Sequence, residues 1–177
     1  MDNGIKDLLI TLAKYNRITN SEMLEILKDL RPEKLTDDVN SYYKSIMGIL
    51  NHLLLADINW LRALGNTIPE LNYIISELEI FPSHRPSQNE LHWPSLNEYK
   101  TSRIKVDDLL ERVVSSLPSS QYNSILKIEN RRGTFEDKPW RILLHLFNHQ
   151  THHRGGIAIL LDQFEIKNDY SNLLWKV

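Results

Sequence analysis

Apolar residues recur along this chain at helical spacing in four long segments. In the first, from Gly4 to Leu30, one face is formed by Leu8, Leu9, Leu12, Tyr15, Met23, Leu24 and Leu27 at i, i+3 and i+4 intervals. Asn16 to Ser21 are weak helix formers, which predicts a bend or break there, and Pro32 ends the segment. The second segment runs from Asp37 to Leu64. Thr36, Asp37 and Asp38 are good N-terminal caps and Gly65 is a good stop. Within it, Tyr42, Ile46, Ile49, Leu50, Leu53, Asp57 and Trp60 lie on neighbouring faces.

The stretch from Pro69 to Pro94 is mixed. Leu71 to Ile80 has the length of a short helix, and Phe81 to Pro94, with three prolines, reads as a loop. The third long helix should start at Ser95, where Ser95 and Glu98 have capping-box spacing, and end near Leu117, before Pro118. Tyr122, Ser124, Leu126 and Ile128 then alternate, Arg131-Arg132-Gly133 reads as a turn and Thr134-Phe135 as a return. This pattern predicts a short β-hairpin. The fourth helix should run from Pro139 to Gln163, with Asp137 as a cap and the proline in the first turn. The first, second and fourth helices are long enough to pack lengthwise, so an all-α four-helix bundle in a single domain spanning 1–177 is expected.

Composition narrows the function classes. The chain is 41% hydrophobic and 25% charged, ordinary for a globular domain. Its net charge is -2, without the basic excess that a nucleic-acid surface carries; Arg131-Arg132 is an isolated pair. No nucleic-acid partner is expected. The N-terminal residues are polar, and the longest apolar runs, such as Ile157 to Leu161, are far too short to span a bilayer. No membrane association and a cytoplasmic location are expected. There are no cysteines, which excludes disulfides and thiolate ligands. A thiol taking part in chemistry would have to arrive on a substrate or cofactor.

Histidines are the candidate chemistry. Four of the seven fall at His145, His149, His152 and His153 in the fourth helix. Residues at i and i+4 project from one face, so His149 and His153 are able to address one metal ion; so are His145 and His149, and His149 with His152 at i+3. A third ligand must come from another helix. His52, inside the apolar run Ile49-Leu50-Asn51-His52-Leu53-Leu54-Leu55, needs a polar partner there. His84 and His92, in the loop, are weaker candidates. The competing reading of any one of these is a core histidine satisfied by a neighbour.

His145-Leu-Phe-Asn-His149-Gln-Thr-His-His153-Arg-Gly155-Gly resembles the last-helix signature of the DinB/YfiT-like family. The segment from Ser45 to Leu61, with His52, Asp57 and Trp60, resembles that family's second-helix motif, and Tyr15-Asn16-Arg17 a first-helix motif. The motifs occur in the family's order across residues 5 to 163. The resemblance implies a bundle of up-down-down-up topology and one divalent metal held by His52, His149 and His153. It also implies that His145 and His152 are not ligands. Gly156 stands where the family often has glutamine, a departure that touches the pocket rather than the metal. Characterised members of the family include thiol-dependent transferases and isomerases that use bacillithiol, mycothiol or glutathione, and a homodimer is expected because similar proteins pair through bundle helices.

Three neutral histidines leave open coordination positions, as at catalytic rather than structural zinc. They do not select the metal: zinc, nickel, iron and manganese all fit. Such an ion activates a water or a substrate thiol. Two functional classes follow. One is a metal-dependent enzyme, a thiol-dependent S-transferase or a related isomerase or hydrolase; the other is a non-catalytic metal-binding protein of the stress response, or a binding module. Arg154 is the candidate substrate-binding residue, weighed against a structural arginine. Asp57 is off the face of His52 and reads as a cap or salt-bridge partner. Trp60 and Tyr15 read as core aromatics, and Gly155-Gly156 as a close helix contact.

Overall fold

The computed structural model describes residues 2–84, 86, 90–130 and 133–177. The order of elements is α1 (Asp2–Leu27), a short α2 (Pro32–Thr36), α3 (Ile46–Thr67), α4 (Asn72–Ile75) between two 3-10 turns, and α5 (Leu96–Ser116). A hairpin of β1 (Leu126–Asn130) and β2 (Gly133–Asp137) follows, then α6 (Pro139–Gln163) and α7 (Leu173–Lys176). The four long helices are the four that the apolar pattern predicts.

Their directions follow from who meets whom. Lys6 reaches Ser115, Arg17 reaches Glu111 and Lys100 reaches Glu25, so α1 and α5 are antiparallel. Asn51 bonds Trp93 and Asp57 bonds Arg103, so α3 and α5 run the same way. His52 meets His149 while Trp60 meets His145, so α3 and α6 are antiparallel. The result is the up-down-down-up bundle. Leu50, Leu53, Leu54, Ile58 and Leu61 of α3, Val106, Leu110 and Val113 of α5, and Leu143, Leu146, Ile157 and Leu161 of α6 are buried in one core with Leu9, Met23 and Leu27 of α1. Each such side chain is worth about 1.5–3 kcal/mol for leaving water.

The hairpin forms where alternation placed it, antiparallel, with Leu126 opposite Asp137 and Asn130 opposite Gly133. Leu126 and Ile128 are buried and β1 packs on α3. The predicted turn residues Arg131 and Arg132 lie outside the described residues. The capping box at Ser95 is present: its hydroxyl accepts from the Glu98 N–H, and the Glu98 carboxylate accepts from the Ser95 N–H. Asp137 stands one residue before the actual cap of α6, Lys138, and accepts its N–H at 2.8 Å.

Two boundaries differ from the pattern. α1 does not break at residues 16–21. Asn16, Thr19 and Asn20 are buried, and the two asparagine side chains bond across the bundle instead of competing with their own backbone. α3 begins at Ile46, not Asp37. Residues 38–45 form a tight loop in which Asn40 and Lys44 take positive φ and the Val39 N–H donates to the Lys44 carbonyl. Ser45, not residues 36–38, caps α3, accepting from the Gly48 N–H at 3.1 Å. α3 also runs past Gly65 to Thr67. That glycine serves packing: a Cβ there would collide with the side chain of Ile75.

Candidate metal centre

A layer of polar side chains crosses the middle of the bundle and sets the register of its helices. Asp57 of α3 is wholly buried, and so, nearly, is Arg103 of α5. Arg103 Nη1 donates to Asp57 Oδ2 at 2.6 Å, and Nη2 lies 2.9 Å from Asp107 Oδ1. Asn16 and Asn20 of α1 donate to Asp107 at 3.2 and 3.1 Å. Gln150 of α6 donates to Asp57, and Arg154, 2% exposed, donates to Asn16, Asn20 and Gln150. Two carboxylates and two guanidiniums thus share one buried cluster with no net charge, the condition under which buried ions are tolerable. Burial pushes the Asp57 carboxyl up to about 6, against the pull of Arg103. Burial also works against the Arg103 charge, but Asp107 and Asp57 overcome it and hold the guanidinium protonated.

This layer brings three histidines together one step toward the half-exposed side. His52 of α3, His149 and His153 of α6 are each half-buried, and one ring nitrogen from each lies within 4.8 Å of the others. His149 Nε2 is 3.0 Å from His52 Nε2 and 3.1 Å from His153 Nε2. Two imidazole nitrogens bound about 2.0–2.1 Å from one ion at angles of 90–110° stand about 2.8–3.4 Å apart, so the spacing matches shared coordination. The donor inventory favours it as well. His149 Nε2 carries either one hydrogen or one lone pair, yet it meets two other ring nitrogens. A cation between them satisfies all three lone pairs at once. Burial, then His153, lowers His149 to about 4, and burial, then His152, lowers His153, so the cluster disfavours the imidazolium form at both.

The remaining histidines stay outside the triad. His145 is exposed, stacked on His149 at 6.0 Å between centroids, and His152 is exposed, edge-on to His153. His92 Nε2 lies 2.6 Å from the backbone carbonyl of His84, and neither residue is among the three whose ring nitrogens converge. Of the two readings of Arg154, the structure favours the structural arginine: it is buried and bonded within the polar layer, because the residue after His153 lies about 100° round the helix. Asp57 is a salt-bridge partner as expected. Tyr15 is a core aromatic whose hydroxyl bonds the Tyr170 carbonyl; Trp60 packs edge-on to Phe135 and His145. Gly155 and Gly156 are exposed, and a Cβ at either would meet open space, so the expected close helix contact is absent. Nothing in the structure requires glycine at either position.

A cleft of about 630 Å³ opens beside His52, lined by Tyr42, Tyr43, Gly48, Leu55, Leu91 and His92 among others. It lies between the start of α3 and residues Pro86, Glu90, Leu91 and His92, not between α3 and α6. Sequence reasoning missed Tyr43, whose ring stacks on His52 at 4.2 Å and 21°. It missed Gln150, Arg103 and Asp107 too. The last two carried a legible signal, since a charged i, i+4 pair interrupts the apolar stripe Tyr99, Val106, Leu110 and Val113.

Residues 1–164 match the model of the DinB family. The chain is also similar to Protein DinB of Bacillus subtilis (strain 168), at 27% identity over 162 residues covering 90% of this chain and 87% of the relative. With a bundle of the expected topology and a histidine triad where the motifs fall, the chain belongs to the DinB family.

Proposed function

We propose that the protein is a divalent-metal-dependent enzyme acting on a small molecule with the help of a low-molecular-weight thiol. The convergence of His52, His149 and His153 through their Nε2 atoms carries this reading. A divalent ion held by three neutral imidazoles supplies a Lewis acid that favours loss of a proton from a thiol or a water at neutral pH. The chain contributes no cysteine, so the sulfur comes from outside, as bacillithiol or glutathione.

The chain's own groups hold and orient the reactants. The cleft beside His52 has the volume of an ordinary small-molecule site. Leu55, Leu91 and the Tyr43 ring provide apolar lining beside the ligands, and Lys44 and His92 add polar groups to it. The buried layer beneath keeps α3 and α6 in register, so the bundle fixes the backbone positions of the three histidines.

The test is a titration of cobalt- or nickel-substituted protein with bacillithiol, glutathione, cysteine and coenzyme A. A thiol that enters the site should produce a sulfur-to-metal charge-transfer band. If all four leave the spectrum unchanged, the thiol reading fails and a metal-binding protein without thiol chemistry, such as a stress-response or binding module, takes its place.

A further inference from the structure

Residues 38–45, the loop that replaces the expected start of α3, are built at a conformational cost. Asn40 and Lys44 have φ of 54° and 69°, in the left-handed region; asparagine enters it readily, but a lysine there carries the cost. The loop is closed by the Asn40 N–H donating to Asp38 Oδ1 at 2.8 Å, by Lys44 N–H to the Ser41 carbonyl at 3.0 Å and by Ser45 N–H to the Tyr43 carbonyl at 2.8 Å. Strain of this kind persists where surrounding structure enforces it, and it collects around functional sites.

What the loop delivers is the side chain of Tyr43. Its ring lies parallel over His52, with centroids 4.2 Å apart and planes 21° apart, and its edge meets His153 at 5.3 Å. It therefore touches two of the three histidines, one on each of two helices. Gly48, in the first turn of α3, makes the approach available: a Cβ there would collide with the Tyr43 carbonyl oxygen. A strained loop, a glycine cleared for one carbonyl, and a ring stacked on a candidate ligand are three separate features that converge on one contact.

We propose that Tyr43 is a positioning residue of the metal centre, holding the His52 imidazole in the plane that aims its Nε2 at His149 and His153. The inference rests on the metal reading above. Imidazole ligands are commonly oriented by hydrogen bonds to their second nitrogen. A stacked aromatic ring restrains orientation too, since ring-on-ring contact restricts rotation about the bond that joins imidazole to chain. The same ring lines the cleft beside the ligands.

The full-length protein should be loaded with cobalt, and its affinity measured by competition with a chromogenic chelator alongside the visible d–d spectrum. Tyr43→Leu keeps bulk but removes the flat face, and Tyr43→Phe keeps the face but removes the hydroxyl. We expect Tyr43→Leu to weaken cobalt binding about 10–100-fold, the range for loss of a ligand's supporting contact, and to change the d–d band. Tyr43→Phe should match the wild type in both. Gly48→Ala, with Tyr43 intact, should reproduce the Tyr43→Leu spectrum. Wild-type affinity and spectrum in Tyr43→Leu overturn the inference, as does a Tyr43→Phe variant as weak as Tyr43→Leu. Failure of the wild type to bind cobalt is a different result and overturns the metal reading itself.

Discussion

Gln150 donates its side-chain N–H to Asp57, joining the residue beside one histidine of the triad to the residue five positions after another. Both are wholly buried. The bond ties α6 to α3 at one register, and at that register His149 and His153 face His52. The polar layer and the triad are thus two consequences of one alignment: slide either helix by a turn and both are lost.

The first prediction concerns the ligands. Substituting alanine at His52, His149 or His153 should each abolish metal in purified protein measured by elemental analysis, whereas His152→Ala should retain it. Full occupancy in both His149→Ala and His153→Ala rules the triad out.

Removing the ion should lower thermal stability. An ion present at 100 times its dissociation constant stabilises the folded state by about 2.7 kcal/mol. For a chain of this size that is about 5–10 °C in the melting midpoint. Calorimetry before and after chelation, with recovery on adding metal back, measures it; superimposed scans would contradict a bound ion.

Asp57→Ala should be severely destabilising. It leaves Arg103 with one of its two carboxylates and strips the Gln150 amide of its acceptor. Removing one partner of a buried ion pair costs about 3–5 kcal/mol. Urea unfolding should show that loss. A change below about 1 kcal/mol would mean that the buried layer is not what holds the helices, given the usual penalty for an unpaired buried charge.

Gly155→Ala and Gly156→Ala should each stabilise the protein by about 1 kcal/mol, because both sit in an exposed helix interior where alanine is the better former. Denaturation midpoints should rise and metal content stay unchanged. Destabilisation by either would show that the glycine pair serves a contact absent from the isolated chain.

Lys44→Gly should also stabilise, by a smaller amount. Relief of a left-handed conformation is worth about 1–2 kcal/mol, and the added freedom of glycine in the unfolded chain takes back about 0.5–1 kcal/mol. The exposed pair with Asp38, at 3.6 Å, contributes little in opposition. Thermal melts of the variant against the wild type decide the sign.

The sequence by itself determined the four helices, the hairpin and the identity of the histidines worth asking about. Each of those rests on local periodicity: apolar residues at helical spacing, alternation at 126–128, and two imidazoles four residues apart, all of which survive without knowing the neighbours. Choosing among His145, His149, His152 and His153 needed the resemblance, because spacing alone allows several pairs. The tertiary structure decided what polar residues do when they meet across the bundle. Asn16 and Asn20 look like helix breakers in the chain and are bonded partners in the fold. Arg154 is open in the chain to a substrate or a structural role and is buried against them in the fold. Tyr43 looks like part of a helix and instead reaches His52 from a strained loop. In each case the deciding energy is a contact between residues far apart in sequence, which outweighs a local preference of about 1 kcal/mol or less and leaves no periodic trace for a sequence to carry.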